Sequence, residues 1–434
     1  GCEAAHRGEH EAGALAVPPF RPQLADTLDE QESVVLGIGI GQGADVSVQL
    51  VAEDPDCSHP SILVVGRWLR QPCDGSCDNA PVVERVDVME AAVTTGHGGP
   101  DTIGFRTDVP RPRPAAGDAL VRVTAAAVNN TDLWSREGRY GTAADPNAVA
   151  GWRGVPLDFP RIQGIDVVGV VVELGEGGDQ GLLGRRVVVD PTVEYVGDTP
   201  TGFIGSEADG GFAQFFAGST ARLYDVSESP LSDAQLACLP TAYGTALGML
   251  NRAKCSPGER VVVTGASGGV GLAAVQLAVA RGCQVVARTS APKVALVEAQ
   301  GVAEVSVRGI DALDDVAEVD VVVDVVGGDE FGGLVDRLGD EGRLVTAGAI
   351  AGPVVALDLR RLYLRRRMLI GSTMHTRADF ADLADLARAG AVDPLVASVM
   401  PLSSIAAAQR RFLDKDFVGK LVLDPWSGAD TVDP

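Results

Sequence analysis

The sequence predicts an α/β protein, a doubly wound parallel sheet joined to a β-rich domain. Three observations carry this. Residues 260–293 read as strand, glycine-rich turn, helix and strand. Apolar runs then recur at 303–307, 319–326, 343–348 and 368–371, with helical stretches between them. Before residue 232 the texture differs: short alternating runs are broken by Gly, Pro and Asp.

The opening unit is the most specific. A β-branched run, Val261 to Val263, meets the turn Gly265-Ala266-Ser267-Gly268-Gly269-Val270-Gly271. A helix-like stretch and a second apolar run, Val285-Val286-Ala287, follow. Glycines let the backbone approach a pyrophosphate, and the helix N-terminus offers free N–H groups to it. A bound dinucleotide is therefore expected, with a plain helix–strand packing turn as the bland alternative. An NAD site usually carries Asp or Glu about 20 residues beyond the turn. Here the chain reads Arg288-Thr289-Ser290, with Lys293 one turn on. Two cations and two hydroxyls suit a 2′-phosphate, so NADP(H) is expected. The competing reading leaves Arg288 and Lys293 merely solvated.

The remaining elements follow in order. Residues 1–87 hold 15 acidic and 5 basic residues and form an extension of unknown role. Runs at 34–40, 46–51 and 61–66 could be strands. Cys57, His59, Cys73 and Cys77 lack the spacing of a zinc finger or ribbon. Strands are expected at 91–94, 120–123, 167–174 and 185–189, and a helix at 232–251 with Ser232 as its N-cap. Amphipathic helices are expected at 378–390 and 403–414, and a closing strand at 419–424. The β-rich domain is thus assigned to 88–231 and 375–427, and the dinucleotide-binding domain to 232–374.

A formal charge of −23 argues against a nucleic-acid or anionic-membrane surface. No apolar run approaches the roughly 18–20 residues that span a bilayer. No basic start precedes an apolar stretch, so no secretory signal is expected. Seven scattered cysteines fit a cytoplasmic protein with reduced thiols. The sequence starts with Gly1 rather than Met, which leaves open a fragment or a processed form.

Six stretches together resemble one superfamily. They are MEAAVTTGHGGPD (89–101), AAAVNNTDLWSREGRYG (125–141), PRIQGIDVVGVVVELG (160–175), LACLPTAYGTALGML (236–250), VVVTGASGGVGLAAVQLA (261–278) and DEGRLVTAGAIAG (340–352). Across about residues 88–425 the chain is similar to medium-chain dehydrogenases/reductases. The resemblance implies a Rossmann domain and a GroES-like catalytic domain. Where zinc-dependent members place metal ligands, this chain has Asn129, Ile165 and Thr241. No cysteine lies between residues 78 and 237 to build a structural zinc site. No metal is therefore expected, and the chain looks like the zinc-independent quinone oxidoreductase branch. Members use NADPH to reduce quinones, enones or enoyl thioesters, and are usually homodimers joined by edge strands.

The resemblance also implies roles. Asn129 lies at the active-site Asn position and could stabilise charge on a substrate oxygen. Tyr140 sits at the cleft mouth and could donate a proton, and Asp132 fixes the loop. Trp134 and Tyr243 could wall the pocket, Thr245 contacts the nicotinamide, and Gly348 joins the cofactor site. Segment 141–160, with Trp152, Arg153 and Phe159, is longer than usual and could cover a small-molecule substrate. Alcohol-dehydrogenase-like reduction of aldehydes or ketones remains open, as does an NADPH-binding sensor with little catalysis. A short-chain dehydrogenase would need a Tyr-x-x-x-Lys pair after the turn, and Tyr363 is followed instead by Arg367.

Overall fold

The computed structural model describes residues 35–40, 44–49, 87–140 and 157–428. The chain divides into two compact units, residues 1–86 and 87–434. In the first, β1 (Val35–Ile40) pairs antiparallel with β2 (Ala44–Gln49). The run at 61–66 and the group Cys57, His59, Cys73 and Cys77 lie outside the described residues.

The second unit begins with antiparallel structure. Its strands are β3 (Val88–Thr94), β4 (Ile103–Pro110), β5 (Asp118–Ala127), β6 (Arg161–Ile162), β7 (Val168–Leu174) and β8 (Arg186–Val189), then a small hairpin, β9 (Tyr195–Val196) and β10 (Thr199–Pro200), and finally β11 (Phe215–Ser219) and β12 (Leu223–Asp225). Helix α1 (Asn130–Arg136) follows directly on β5. Strand β5 is the spine. Ala119, Leu120, Val121, Val123 and residues 125–127 are all buried, because its two faces meet different layers of the core.

The expected helix over 232–251 is broken into α2 (Asp233–Leu236), a π-turn over Leu239–Tyr243 and α3 (Gly244–Arg252). Pro240 has no N–H to give to the ladder, so the helical register widens there. Ser232 does cap the start: its Oγ accepts the Gln235 N–H at 3.2 Å.

The parallel layer then unfolds along the chain as β13 (Arg260–Val263), α4 (Gly269–Ala280), β14 (Gln284–Thr289), α5 (Val294–Glu298), β15 (Glu304–Val307), β16 (Val319–Asp324), α6 (Phe331–Arg337), β17 (Leu338–Thr346), α7 (Leu359–Tyr363) and β18 (Met368–Gly371). The sheet order is β15-β14-β13-β16-β17-β18, and every pair is parallel. The order reverses at β13, and a doubly wound sheet opens its ligand crevice at that switch point. Val261, Val262 and Val263 are buried at its centre. This is the Rossmann layer.

After α8 (Arg377–Arg388) the chain returns to the first sheet through β19 (Val396–Pro401), α9 (Ile405–Asp414) and β20 (Lys420–Asp424). Strand β20 pairs antiparallel with β5 and parallel with β19. The resulting sheet runs β12-β8-β7-β5-β20-β19, with β11 also on β5, and β4-β3-β6 forms a smaller sheet beside it. Among the described residues, no helix is long and apolar enough to cross a membrane.

Candidate active site

The glycine turn sits at the C-terminal end of β13. Gly265 has φ +58°, a left-handed conformation that costs glycine little. Gly271 is forced by proximity: a Cβ there would lie 2.1 Å from the Gly265 carbonyl oxygen. Gly268 caps α4 in extended conformation and has no side chain to hydrogen-bond the free N–H groups of the helix start. The first N–H groups of α4 therefore face outward for an anion. Thr264 Oγ1 ties this turn to the next strand, donating to Asp324 Oδ1 at 2.7 Å. Gly348 allows β17 to end close to β16, since a Cβ would lie 2.8 Å from the Val325 oxygen. Ala266, Ser267, Gly269 and Val270 complete a cradle whose geometry suits a dinucleotide pyrophosphate.

The end of β14 departs from expectation. Arg288 does not reach outward. Its guanidinium is buried and grips Glu330 through two bonds of 2.9 and 2.7 Å, while a third reaches Ser306 Oγ at 2.7 Å. Burial beside a carboxylate explains this, because a fork–fork pair satisfies a desolvated guanidinium. Ser290 is half-buried at the end of the strand. Lys293 Nζ donates to the Lys415 carbonyl at 2.6 Å, and burial lowers its pKa. Arg308, absent from the sequence reading, is exposed at the end of β15, and its backbone N–H donates to Thr289 O at 2.7 Å.

A second feature lies beside the cradle. Asn129, Asp166, Thr241 and Lys420 come from four distant segments and meet in the interior. Lys420 Nζ lies 2.7 Å from Asp166 Oδ2 and also donates to Asn129 Oδ1. Asn129 Nδ2 donates to Asp166 Oδ2 at 2.8 Å and to Ala127 O at 3.1 Å. Asp166 Oδ1 accepts the Thr241 N–H at 2.8 Å. Both charged groups are nearly free of solvent, Asp166 at 0% and Lys420 at 4% exposure. The Lys420 stem packs against Gly269, and the Gly419 N–H points at Ser267 O, 3.4 Å away. The ammonium therefore stands next to the first turn of α4. Thr241 Oγ1 is buried with no hydrogen-bond partner.

Asp132 supports this cluster from behind. Its carboxylate accepts the Asn129 N–H at 2.8 Å and the Ile165 N–H at 3.1 Å. Burial pushes its pKa up to about 7, against the pull of those two donors. Tyr140 is half-buried, with its ring 5.7 Å from that of Trp134, and burial raises its pKa. Tyr243 lies in the core, 3% exposed. It is buried against α4, and its hydroxyl donates to Gln276 Oε1 at 2.7 Å, a packing role set by the π-turn. Thr245 is buried with its hydroxyl on Met374 Sδ at 3.6 Å. Trp152 and Arg153 lie outside the described residues. Phe159 packs edge-on to His97 with centroids 4.8 Å apart.

Sequence reading thus missed Asp166, Thr241 and Lys420 as site members. One signal was available: Lys420 is one of only four lysines in the chain, and it opens an otherwise apolar strand run, Leu421-Val422-Leu423. The donor set does not fit zinc. Asn129, Ile165 and Thr241 supply neither thiolate nor imidazole, and the nearest carboxylate already binds an ammonium. No cluster of three or more His, Cys, Asp or Glu with metal-binding geometry occurs among the described residues.

Comparison with known proteins agrees with the architecture. Residues 115–228 match the alcohol dehydrogenase GroES-like domain, and residues 269–389 match the zinc-binding dehydrogenase family. Acryloyl-coenzyme A reductase of Metallosphaera sedula is 30% identical over 350 residues, 77% of this chain and 99% of that one. Human quinone oxidoreductase is 26% identical over 352 residues, 77% and 98% of the respective chains. A Sinorhizobium meliloti structure with an alcohol dehydrogenase designation superposes with TM-score 0.74 at 45% identity, over 78% of this chain and 96% of that one. A 2-octenoyl-CoA carboxylase reductase, solved with NADP and 2-octenoyl-CoA, gives TM-score 0.68 at 26% identity, over 80% and 91%.

Proposed function

The chain belongs to the medium-chain dehydrogenase/reductase superfamily, and from that premise we propose that it is a zinc-independent, NADPH-dependent reductase of activated alkenes or quinones. The observation that carries this reading is the buried Lys420–Asp166–Asn129 cluster. Its Asn129, and Thr241 whose N–H binds Asp166, stand where zinc-dependent relatives need metal donors, and the cluster already contains an internal cation. When bound, the reduced nicotinamide supplies the hydride. The chain's own residues must then hold the cofactor, exclude water and stabilise charge on the substrate oxygen.

The glycine turn from Gly265 to Gly271 holds the pyrophosphate, with Gly348 keeping β17 clear of it. Ser290, Lys293 and exposed Arg308 receive the 2′-phosphate, while Arg288 shapes the strand end through Glu330. Lys420 has three N–H groups, of which two go to Asn129 and Asp166, and the third is available to an oxyanion. Thr241 Oγ1, buried and without a partner, is the second donor. Both amide protons of Asn129 are committed to Ala127 and Asp166, so Asn129 orients the ammonium instead of touching substrate. Tyr140 remains the proton donor at the cleft mouth, and Thr245 backs the nicotinamide site. Asp132 fixes the loop.

Reductases acting on enoyl thioesters and quinones among the relatives support the substrate class. The test is NADPH oxidation with enoyl thioesters, enones, quinones and aldehydes. Turnover on the first three is expected. The similarity to the S. meliloti structure favours a second reading, alcohol-dehydrogenase-like reduction, for which turnover on aldehydes alone would decide. Tight NADPH binding without turnover on any substrate would leave only the sensor reading.

The proposal includes a homodimer in the cytoplasm. Edge strand β18 exposes Met368 and Leu369, and Tyr363 and Leu364 nearby are 62% and 71% exposed, an apolar edge suited to pairing with a second copy. Light scattering at twice the chain mass is the expected result. A chain starting near Val88 should keep the fold and bind NADPH.

A further inference from the structure

Two cysteines outside the site face each other. Cys255 ends the turn after α3, and Cys283 ends the turn after α4. Their sulfurs are 3.5 Å apart, although the residues are 28 positions apart in sequence. The two turns are locked together on both sides of the pair. Gly258 N–H donates to Gly282 O at 2.9 Å, and Gln284 N–H donates to Glu259 O at 2.8 Å. Each cysteine is also anchored to its own helix end, Cys255 N–H on Leu250 O and Cys283 N–H on Ala278 O. Cys283 is partly exposed, while Cys255 is 7% exposed. The third free thiol among the described residues, Cys238, is buried elsewhere and donates to Ala234 O at 3.2 Å.

We propose that Cys255 and Cys283 form a redox-modification site, a dithiol that a hydroperoxide converts reversibly into a disulfide. Geometry supports it: two sulfurs already in contact need to close by only about 1.5 Å to reach bonding distance, within turns that are already paired. Exposure assigns the order of events. The Cys283 thiolate attacks the peroxide, forming an S–O bond as the O–O bond breaks, and water or an alcohol leaves with the thiol proton. The Cys255 sulfur then attacks the Cys283 sulfur, the S–O bond breaks, and hydroxide leaves as water with the Cys255 proton. The two thiols lose two electrons and the peroxide gains them. Burial and the neighbouring thiol push Cys255 up to about 12, which fits a resolving rather than an attacking role. A thiol reductant reverses the bond by exchange.

The consequence is structural. The closed ring contains β13, the glycine turn and α4, but the sulfurs lie at the entry end of the strands, opposite the cradle. The bond therefore staples the dinucleotide-binding unit without reaching its ligand face.

The sequence offers a direct test. Trypsin cleaves after Lys254, Arg260, Arg281 and Arg288, so Cys255 and Cys283 leave in peptides 255–260 and 282–288. The full chain is treated with hydrogen peroxide, alkylated and digested. One cross-linked species of those two peptides is expected, disappearing after dithiothreitol. The oxidised chain should melt roughly 5–10 °C higher than the reduced chain. Cys255→Ser should abolish both effects and leave Cys283 as a sulfenic acid trapped by dimedone. NADPH affinity should change less than about twofold. Peroxide that links Cys283 to Cys2, Cys57, Cys73 or Cys77, or leaves both thiols free, would overturn the proposal. So would a linked pair with an unchanged melting point.

Discussion

The glycine turn proposed as the cofactor cradle and the buried polar cluster touch at Gly269 and Lys420, yet they are made differently. The cradle is one continuous stretch, and its working groups are backbone N–H groups and the space left by absent side chains. The cluster is assembled from side chains of residues 129, 166 and 420 and the backbone at 241. A backbone-built site degrades by steric steps, one glycine at a time. A site built from a buried ammonium and carboxylate fails together, because removing one charge strands the other.

That contrast sets the order of expected effects. Lys420→Met should be the most damaging. It leaves Asp166 charged and buried without its partner, a loss of about 3–5 kcal/mol in unfolding free energy. Denaturant melts measure this, and Lys420→Arg should recover most of it. If Lys420→Met is as stable as the parent, the cluster is not an energetic unit and the contrast collapses.

The pH response of Asp132 comes next. Its folded pKa is raised to about 7, above the usual aspartate value, so the folded chain holds a proton that the unfolded chain releases. Its contribution to stability is full below about pH 4 and falls as pH rises to 7, by roughly 2–4 kcal/mol. Melts across that window should show a shallower decline in Asp132→Asn than in the parent. Parallel curves would mean that the carboxyl is charged throughout.

Smaller effects belong to the cradle. Gly271→Ala drives a methyl onto the Gly265 carbonyl, and the turn must shift. We expect NADPH affinity to fall about 10- to 100-fold with the melt lowered by about 1–3 kcal/mol. Fluorescence titration reads the first, and unchanged affinity would show that the turn does not hold the cofactor. Lys293→Ala is expected to be mildest. It should weaken NADPH by about 1–2 kcal/mol and spare NADH, and equal losses for both would remove Lys293 from the 2′-phosphate site.

The same contrast explains what could be read in advance. The strand–turn–helix of residues 260–293 is local, so glycine spacing and apolar periodicity reveal it without knowledge of the rest of the chain. Strands β5, β7 and β8 were visible for the same reason. Strand β19 was not, because Val396–Pro401 is a half-buried run ending in proline. The helix over 232–251 was misread at Pro240, where residue preference was outweighed by a missing donor. Arg288 was assigned to the 2′-phosphate because nothing near it in sequence announces Glu330, 42 positions away. Asp166 and Lys420 are 254 positions apart, and only folding makes them a pair.

Strand β20 has one property that extends beyond its place in the sheet. Its residues 421–423 are bound into the antiparallel layer, while Gly419 and Lys420 at its start rest on the glycine turn of the parallel layer. A single short segment is thus shared by the two halves of the molecule. Such sharing imposes thermodynamic reciprocity: whatever factor a dinucleotide adds to the seating of this strand, the seated strand adds to the dinucleotide's affinity. A substitution on the far side of β20, remote from any ligand, would then register as a change in cofactor dissociation.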